Sequence, residues 1–163
     1  MIIGIDPGLT GAIAYLTEDG RFFKVADMWV TQAGSSRKVK NEVNAAAVFA
    51  ELRTLPVPSI VVIERVHSMP KMASQTVFSM GDSFGVVRAV AASLGIPTVF
   101  VEPKEWKKHF GLGKDKEESR ALAVQLFPEA PLSLVKHHNR AESMLIALWY
   151  VHTNDHKLHR IVD

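Results

Sequence analysis

The sequence predicts an α/β fold whose mixed, five-stranded sheet is flanked by helices. Three observations carry that prediction. Three short β-rich runs open the chain and are separated by turns; two later runs, 59-SIVVIE-64 and 98-TVFVE-102, are apolar and of strand length; and segments with helical spacing lie between and after them. The order β-β-β-α-β-α-β-α-α-α is that of a layered α/β protein. At 163 residues the chain suits one domain, 1–163, large enough to bury a core without staples.

The opening runs, Ile2–Ile5, Gly11–Leu16 and Phe22–Trp29, are separated by Gly8 and by Glu18-Asp19-Gly20, as in an antiparallel meander. The polar stretch 31-TQAGSSRKVKNE-42 reads as a mobile loop carrying Arg37, Lys38 and Lys40. A short helix over Glu42–Leu52 is closed by Pro56 and Pro58. The run Ser59–Ile63 then suits a central strand covered on both faces. A long helix follows over Ser74–Leu94, with Gly81 and Gly85 four residues apart on one face. Those glycines fit either close packing against the sheet or a close helix contact across a dimer. Gly95-Ile96-Pro97 ends that helix and leads into the strand at 98–102. Helices over Lys104–Phe110, Lys114–Phe127 and Asn139–His152 complete the chain.

Composition narrows the function. There are no cysteines, which excludes disulfides and thiolate chemistry and fits a cytoplasmic setting. No run is long enough to span a bilayer, and Met-Ile-Ile-Gly starts a strand rather than a signal peptide. A net charge of +2 permits nucleic-acid binding without requiring it.

The informative residues are acids. Asp6 and Glu64 each end an apolar run. Alone, either is explained as a turn residue or a cap. On neighbouring strands they would emerge at one sheet edge, where like charges need a cation, a shared proton or a basic partner. The last helix, in 137-HHNRAESMLIALWY-150, adds Glu142 at the border of an apolar stripe, with His138 four residues and Asn139 three residues before it. Glu142 could equally serve the helix dipole. Together, three carboxylates with a His or Asn form a hard, oxygen-rich donor set suited to Mg²⁺ or Mn²⁺. Two such ions about 4 Å apart activate water and stabilise the leaving oxygen in phosphodiester hydrolysis.

In this order the motifs resemble those of the RuvC family of Holliday-junction resolvases, in the ribonuclease H-like nuclease superfamily, and especially its phage and bacterial branch. GIDPGLTG is similar to the first-strand motif, VVIERV to the fourth strand and HNRAESMLIA to the final catalytic helix. FSMGDSFGVVRAVA resembles the dimer helix, and EPKEWKKHFGLGKDKEESR the basic segment. The resemblance spans nearly the whole chain. It implies a ribonuclease H-like fold and a homodimer that cuts four-way DNA junctions with Mg²⁺ or Mn²⁺, two ions per site. Asp6, Glu64 and Glu142 take the family's acidic positions. The remaining acidic position is usually Asp; here His138 or Asn139 stands near it, and His138 is the expected ligand or base, since a His occupies that place in related RNA-guided effectors.

The same resemblance implies a DNA-binding face. Lys104, Lys107, Lys108, Lys114 and Lys116 cluster after the last strand, and Lys71 and Arg140 would add to phosphate neutralisation. Lys114 and Lys116 match the family's Gly-Lys turn. In the loop after Glu64, His67 and Met69 are candidates to wedge against bases at the crossover. Trp106 reads as a core anchor. His152, His156 and His159 have a spacing that suits a metal, but a polar tail explains it as well. The alternatives are a junction-binding protein that does not cut, or a nuclease for other branched DNA or RNA–DNA hybrids. The opening also resembles the phosphate hairpin of sugar kinases and actin-like ATPases, but a second lobe has no room here, so no nucleotide cofactor is expected.

Overall fold

The structure, a computed structural model, describes residues 1–35, 38–57 and 59–158. Its strands are β1 (Ile2–Asp6), β2 (Ala12–Leu16), β3 (Phe22–Asp27), β4 (Val30–Ser35), β5 (Lys38–Val43), β6 (Ile60–Glu64) and β7 (Thr98–Val101). Its helices are α1 (Ala45–Leu52), α2 (Ser74–Ser93), α3 (Pro103–His109), α4 (Lys116–Leu126) and α5 (His138–Leu158), the last preceded by a 3₁₀ turn over Val135–His137. Five strands form one mixed sheet in the order β3-β2-β1-β6-β7. The meander β1-β2-β3 is antiparallel, and β6 and β7 join β1 in parallel.

Strand alternation assigns the two faces. Ile3, Ile5, Ile13, Tyr15, Val61 and Ile63 point to the side covered by α1 and α2. Ile2, Ala14, Leu16, Val62 and Val101 point to the side that packs on Trp106, α4 and α5. Because both faces of β1 and β6 are covered, these strands carry apolar residues in succession rather than alternation.

Gly4 is where this packing is tightest. A Cβ built on it would lie 2.0 Å from the carbonyl oxygen of Ser143 and 2.7 Å from the amide nitrogen of Ala147. The backbone of α5 therefore sits directly on β1, at a separation only glycine permits. Gly11 has a similar role in the turn after β1, where a Cβ would lie 2.0 Å from the Asp6 carbonyl oxygen.

Two expectations need correction. The stretch read as a mobile loop is a two-stranded ribbon, β4 paired with β5 from Val30↔Val43 to Ser35↔Lys38, while Arg37 lies outside the described residues. Its polarity misled because the ribbon forms a sheet of its own: Thr31, Gln32, Lys40, Asn41 and Glu42 are exposed, and Val43 is anchored in the core. The first helix accordingly begins at Ala45, where Asn44 Oδ1 accepts from Ala47 N–H at 3.0 Å. The second correction concerns Gly81 and Gly85. A Cβ on either would meet nothing within 4 Å, so these glycines are not there to pack α2 on the sheet.

Gly4→Ala should lower stability by about 2–3 kcal/mol, because α5 must lift off β1 to admit the methyl group. Urea denaturation measures this, and a loss under about 0.5 kcal/mol would show that α5 can shift freely.

Candidate functional site

Parallel pairing of β1 with β6 runs in register from Ile2↔Ile60 to Ile5↔Ile63. The next residue on each strand is a carboxylate, Asp6 and Glu64, so both stand at the carboxyl edge of the sheet on adjacent strands. That edge is where open α/β sheets bind ligands. The chain turns away after Asp6: Gly11 N–H donates to the Gly8 carbonyl at 2.9 Å, and Gly8 N–H donates to Asp6 Oδ1 at 3.3 Å.

Seated on Gly4, α5 brings Glu142 to the same edge. The helix begins at His138 after the 3₁₀ turn, which puts Glu142 beyond its first turn; the helix contains no acid in that turn. Service to the helix dipole therefore does not account for Glu142. Glu142 is buried, together with Asn139 and Ser143.

Burial and crowding show in the proton affinities of Asp6 and Glu64. Burial, and then the charge of Glu142, raise Asp6 from 3.8 to about 6, while the Gly8 amide, Lys116 and His138 pull the other way. Burial, and then the charge of Asp6, raise Glu64 to about 7; Glu142 adds to the rise, and the Trp106 hydrogen bond and Lys107 oppose it. The positive charges at the site do not offset this rise for Asp6 and Glu64. Among the described residues, no three His, Asp or Glu side chains are arranged as a ready-made metal cage. Two of the acids are instead turned to protein partners: Trp106 Nε1–H donates to Glu64 Oε1 at 2.8 Å, and Lys107 Nζ donates to Glu142 Oε1 at 2.9 Å.

His138 and Asn139, alternatives in the sequence, are used differently. Asn139 Nδ2 donates to the Thr10 carbonyl at 2.5 Å, and its Oδ1 accepts from Lys116 Nζ at 3.4 Å, so it ties α5 to the turn after Asp6. His138 Nδ1 lies 3.1 Å from the Val135 carbonyl oxygen. A carbonyl only accepts, so Nδ1 carries a hydrogen, and whenever the ring is neutral its lone pair lies on Nε2. Two clefts of about 350 and 540 Å³ flank this edge, and Leu9 and Thr10 border both.

The basic residues fall into two groups. Lys71, Lys104, Lys108, Lys114 and Lys116 are exposed. Lys71 also has a positive φ of 70°, which holds the loop after β6 in a left-handed turn. Lys107 is turned inward to Glu142, and Arg140 forks onto Asp27 at 2.5 and 2.7 Å and donates to the Pro131 carbonyl at 3.2 Å. His67 Nε2 lies 2.5 Å from Glu102 Oε2, and Met69 is 66% exposed at the loop tip. Of the C-terminal histidines, His152 Nδ1 lies 3.1 Å from His109 Nε2, and His159 lies outside the described residues.

Sequence reasoning missed the links that complete the cluster. Trp106 is fully buried, as a core anchor should be, yet its indole also orients Glu64. Lys107 and the Asp27–Arg140 pair were equally invisible, because each joins residues far apart in the chain. The only local signal was the adjacency of Trp106 and Lys107 in EPKEWKK.

The raised carboxylates link stability to pH. Between the unfolded value of 4.5 and the folded value of about 7, native Glu64 keeps a proton that the unfolded chain has released. Stability contributed by this group is therefore full below about pH 4.5 and lost as pH rises through about 7. In EDTA, Glu64→Gln should gain about 2–3 kcal/mol over wild type between pH 4.5 and pH 8. Denaturation at the two pH values tests this, and a difference that does not change with pH contradicts it.

No protein-family profile and no curated protein matches the sequence. Solved structures do match. RuvC of T. thermophilus in complex with a Holliday junction substrate is 18% identical, with a TM-score of 0.61 over 95% of this chain and 94% of that one. A Thermus thermophilus RuvC structure is also 18% identical, with a TM-score of 0.56 over 94% of this chain and 97% of that one. With its five-stranded sheet in the order β3-β2-β1-β6-β7 and five helices, this chain has the ribonuclease H-like fold of RuvC.

Proposed function

We propose that this protein is a metal-dependent, structure-selective endonuclease that resolves four-way DNA junctions. One observation carries the reading: Asp6 and Glu64 on adjacent parallel strands, with Glu142 against them, share a site whose charges repel one another. Nothing in the packing of a sheet calls for such a cluster, and a divalent cation would neutralise it. The donor set fits Mg²⁺ or Mn²⁺, with Asp6, Glu64, Glu142 and the Nε2 of His138 as its ligands. Donation of Nδ1–H to a backbone carbonyl is the arrangement that orients a ligating imidazole. Two bound ions would supply an activated water and stabilisation of the leaving oxygen.

The chain's own residues orient these groups. Trp106 fixes Glu64 by its indole N–H, and Asn139 holds the Thr10 backbone beside Asp6. The exposed Lys104, Lys108, Lys114 and Lys116, with Lys71 in the loop after Glu64, supply charge for phosphate binding. Met69 is the exposed apolar side chain suited to unstack a base step, whereas His67 is drawn to Glu102. Hydrolysis at the phosphorus leaves 5′-phosphate and 3′-hydroxyl ends. The solved relative in complex with a Holliday junction substrate supports a branched substrate over a plain duplex.

A four-way junction presents two equivalent strands, and two copies of the protein related by a two-fold axis would match them. Residues on α2 support such a dimer: Gly81 and Gly85 leave the helix open on one side, and Phe78, one turn before Gly81, is 68% exposed. Among the described residues, no helix is long and apolar enough to cross a membrane.

Asp6→Asn should cut a synthetic four-way junction at under about one-thousandth of the wild-type rate in Mg²⁺ while still binding it. Cleavage at the wild-type rate would remove Asp6 from the mechanism, and equal cutting of flaps or hybrids would replace the substrate. Phe78→Asp should convert a dimer to a monomer in sedimentation velocity; an unchanged sedimentation coefficient would place the dimer contact elsewhere.

A further inference from the structure

Glu142 is already paired. Its Oε1 accepts from Lys107 Nζ at 2.9 Å, and the pair is withdrawn from water, with side chains 7% and 21% exposed. Lys107 is held there by α3. Its neighbour Trp106 is fully buried and bonded to Glu64, and the ammonium sits 5.0 Å from the centre of that indole ring. One short helix thus delivers a hydrogen bond to one acid of the cluster and a positive charge to another.

An ammonium and a divalent cation compete for the same carboxylate oxygen. Leaving a buried carboxylate without a partner is costly, so Glu142 stays paired until another cation replaces the first. We propose that Lys107 is a built-in counter-ion that occupies Glu142 in the metal-free protein and is displaced from it when a divalent cation binds. The proposal rests on the metal-dependent reading above and adds an exchange step to it. A phosphodiester brought to the site offers the released ammonium a new anion, so substrate binding and metal loading favour each other through the same exchange.

Lys116 provides an internal contrast. Its charge also acts on the cluster, through Asp6, but its ammonium is exposed and pairs with the Asn139 amide oxygen at 3.4 Å rather than with a carboxylate. Removing either lysine takes one positive charge from the neighbourhood. Only removal of Lys107 frees a ligand.

The test is an Mn²⁺ titration of the DNA-free protein at about pH 8.5, with free Mn²⁺ read by electron paramagnetic resonance. The expected Kd falls at least about fivefold in Lys107→Met, under about twofold in Lys116→Met, and changes little in Lys107→Arg, which keeps the charge. Equal effects from Lys107→Met and Lys116→Met, with Mn²⁺ still bound by wild type, overturn the exchange but leave the metal site. Absence of Mn²⁺ binding by wild type overturns the metal reading itself and the exchange with it. In ¹⁵N-lysine-labelled wild type, the Lys107 ammonium resonance should leave its ion-paired position at saturating Mg²⁺. A resonance that does not move overturns the exchange even if the Met variant fails to fold.

Discussion

The site depends on the contact between α5 and Gly4. A helix backbone resting on a strand backbone, with no side chain between them, is possible only where the strand has no Cβ. That contact fixes the height of α5 over the sheet and thereby carries Glu142 to the edge where β1 and β6 end. Any larger residue at position 4 would move the third acid away from the other two. Secondary anchors hold the same geometry in rotation: Arg140 grips Asp27 on β3, and Asn139 grips the Thr10 backbone. These links use polar groups at the first turns of α5, so the helix is located by its start as well as by its apolar stripe.

The fold thus forces together charges that would separate in water. Asp6 and Glu64 bear that strain as raised proton affinities, and the surrounding residues relieve it in part. Trp106, Lys107, Lys116 and His138 each supply a proton donor or a positive charge, and they come from α3, α4 and α5. Relief is incomplete, which is the physical basis for the affinity toward a cation proposed above. Stability is lost to create the site, as is usual where a fold carries chemistry.

Much of this was legible in the chain. Apolar runs ending in Asp6 and Glu64 read as central strands, and the pairing of β1 with β6 places them side by side. Apolar periodicity marked the last helix, although it starts at His138 and reaches Leu158, beyond the expected limits. The ribbon of β4 and β5 was not legible, because successive exposed residues, as at 31–32 and 40–42, give no apolar alternation to betray it. Nor was the inward turn of Lys107 and Arg140. A lysine or arginine in sequence looks the same whether it faces solvent or a buried acid, and their partners, Glu142 and Asp27, lie far off in the chain. Nor did the sequence show that Asn139, rather than His138, engages the backbone of Thr10.

The central claim is that Asp6, Glu64 and Glu142 converge to bind divalent cations. Anomalous diffraction from crystals grown with Mn²⁺ tests it directly. The account predicts a strong anomalous peak at the carboxyl edge of β1 and β6, within bonding distance of Asp6 and Glu64 and with Glu142 turned toward it. A map without a peak at that edge, in crystals where Mn²⁺ is seen elsewhere on the protein, would contradict it.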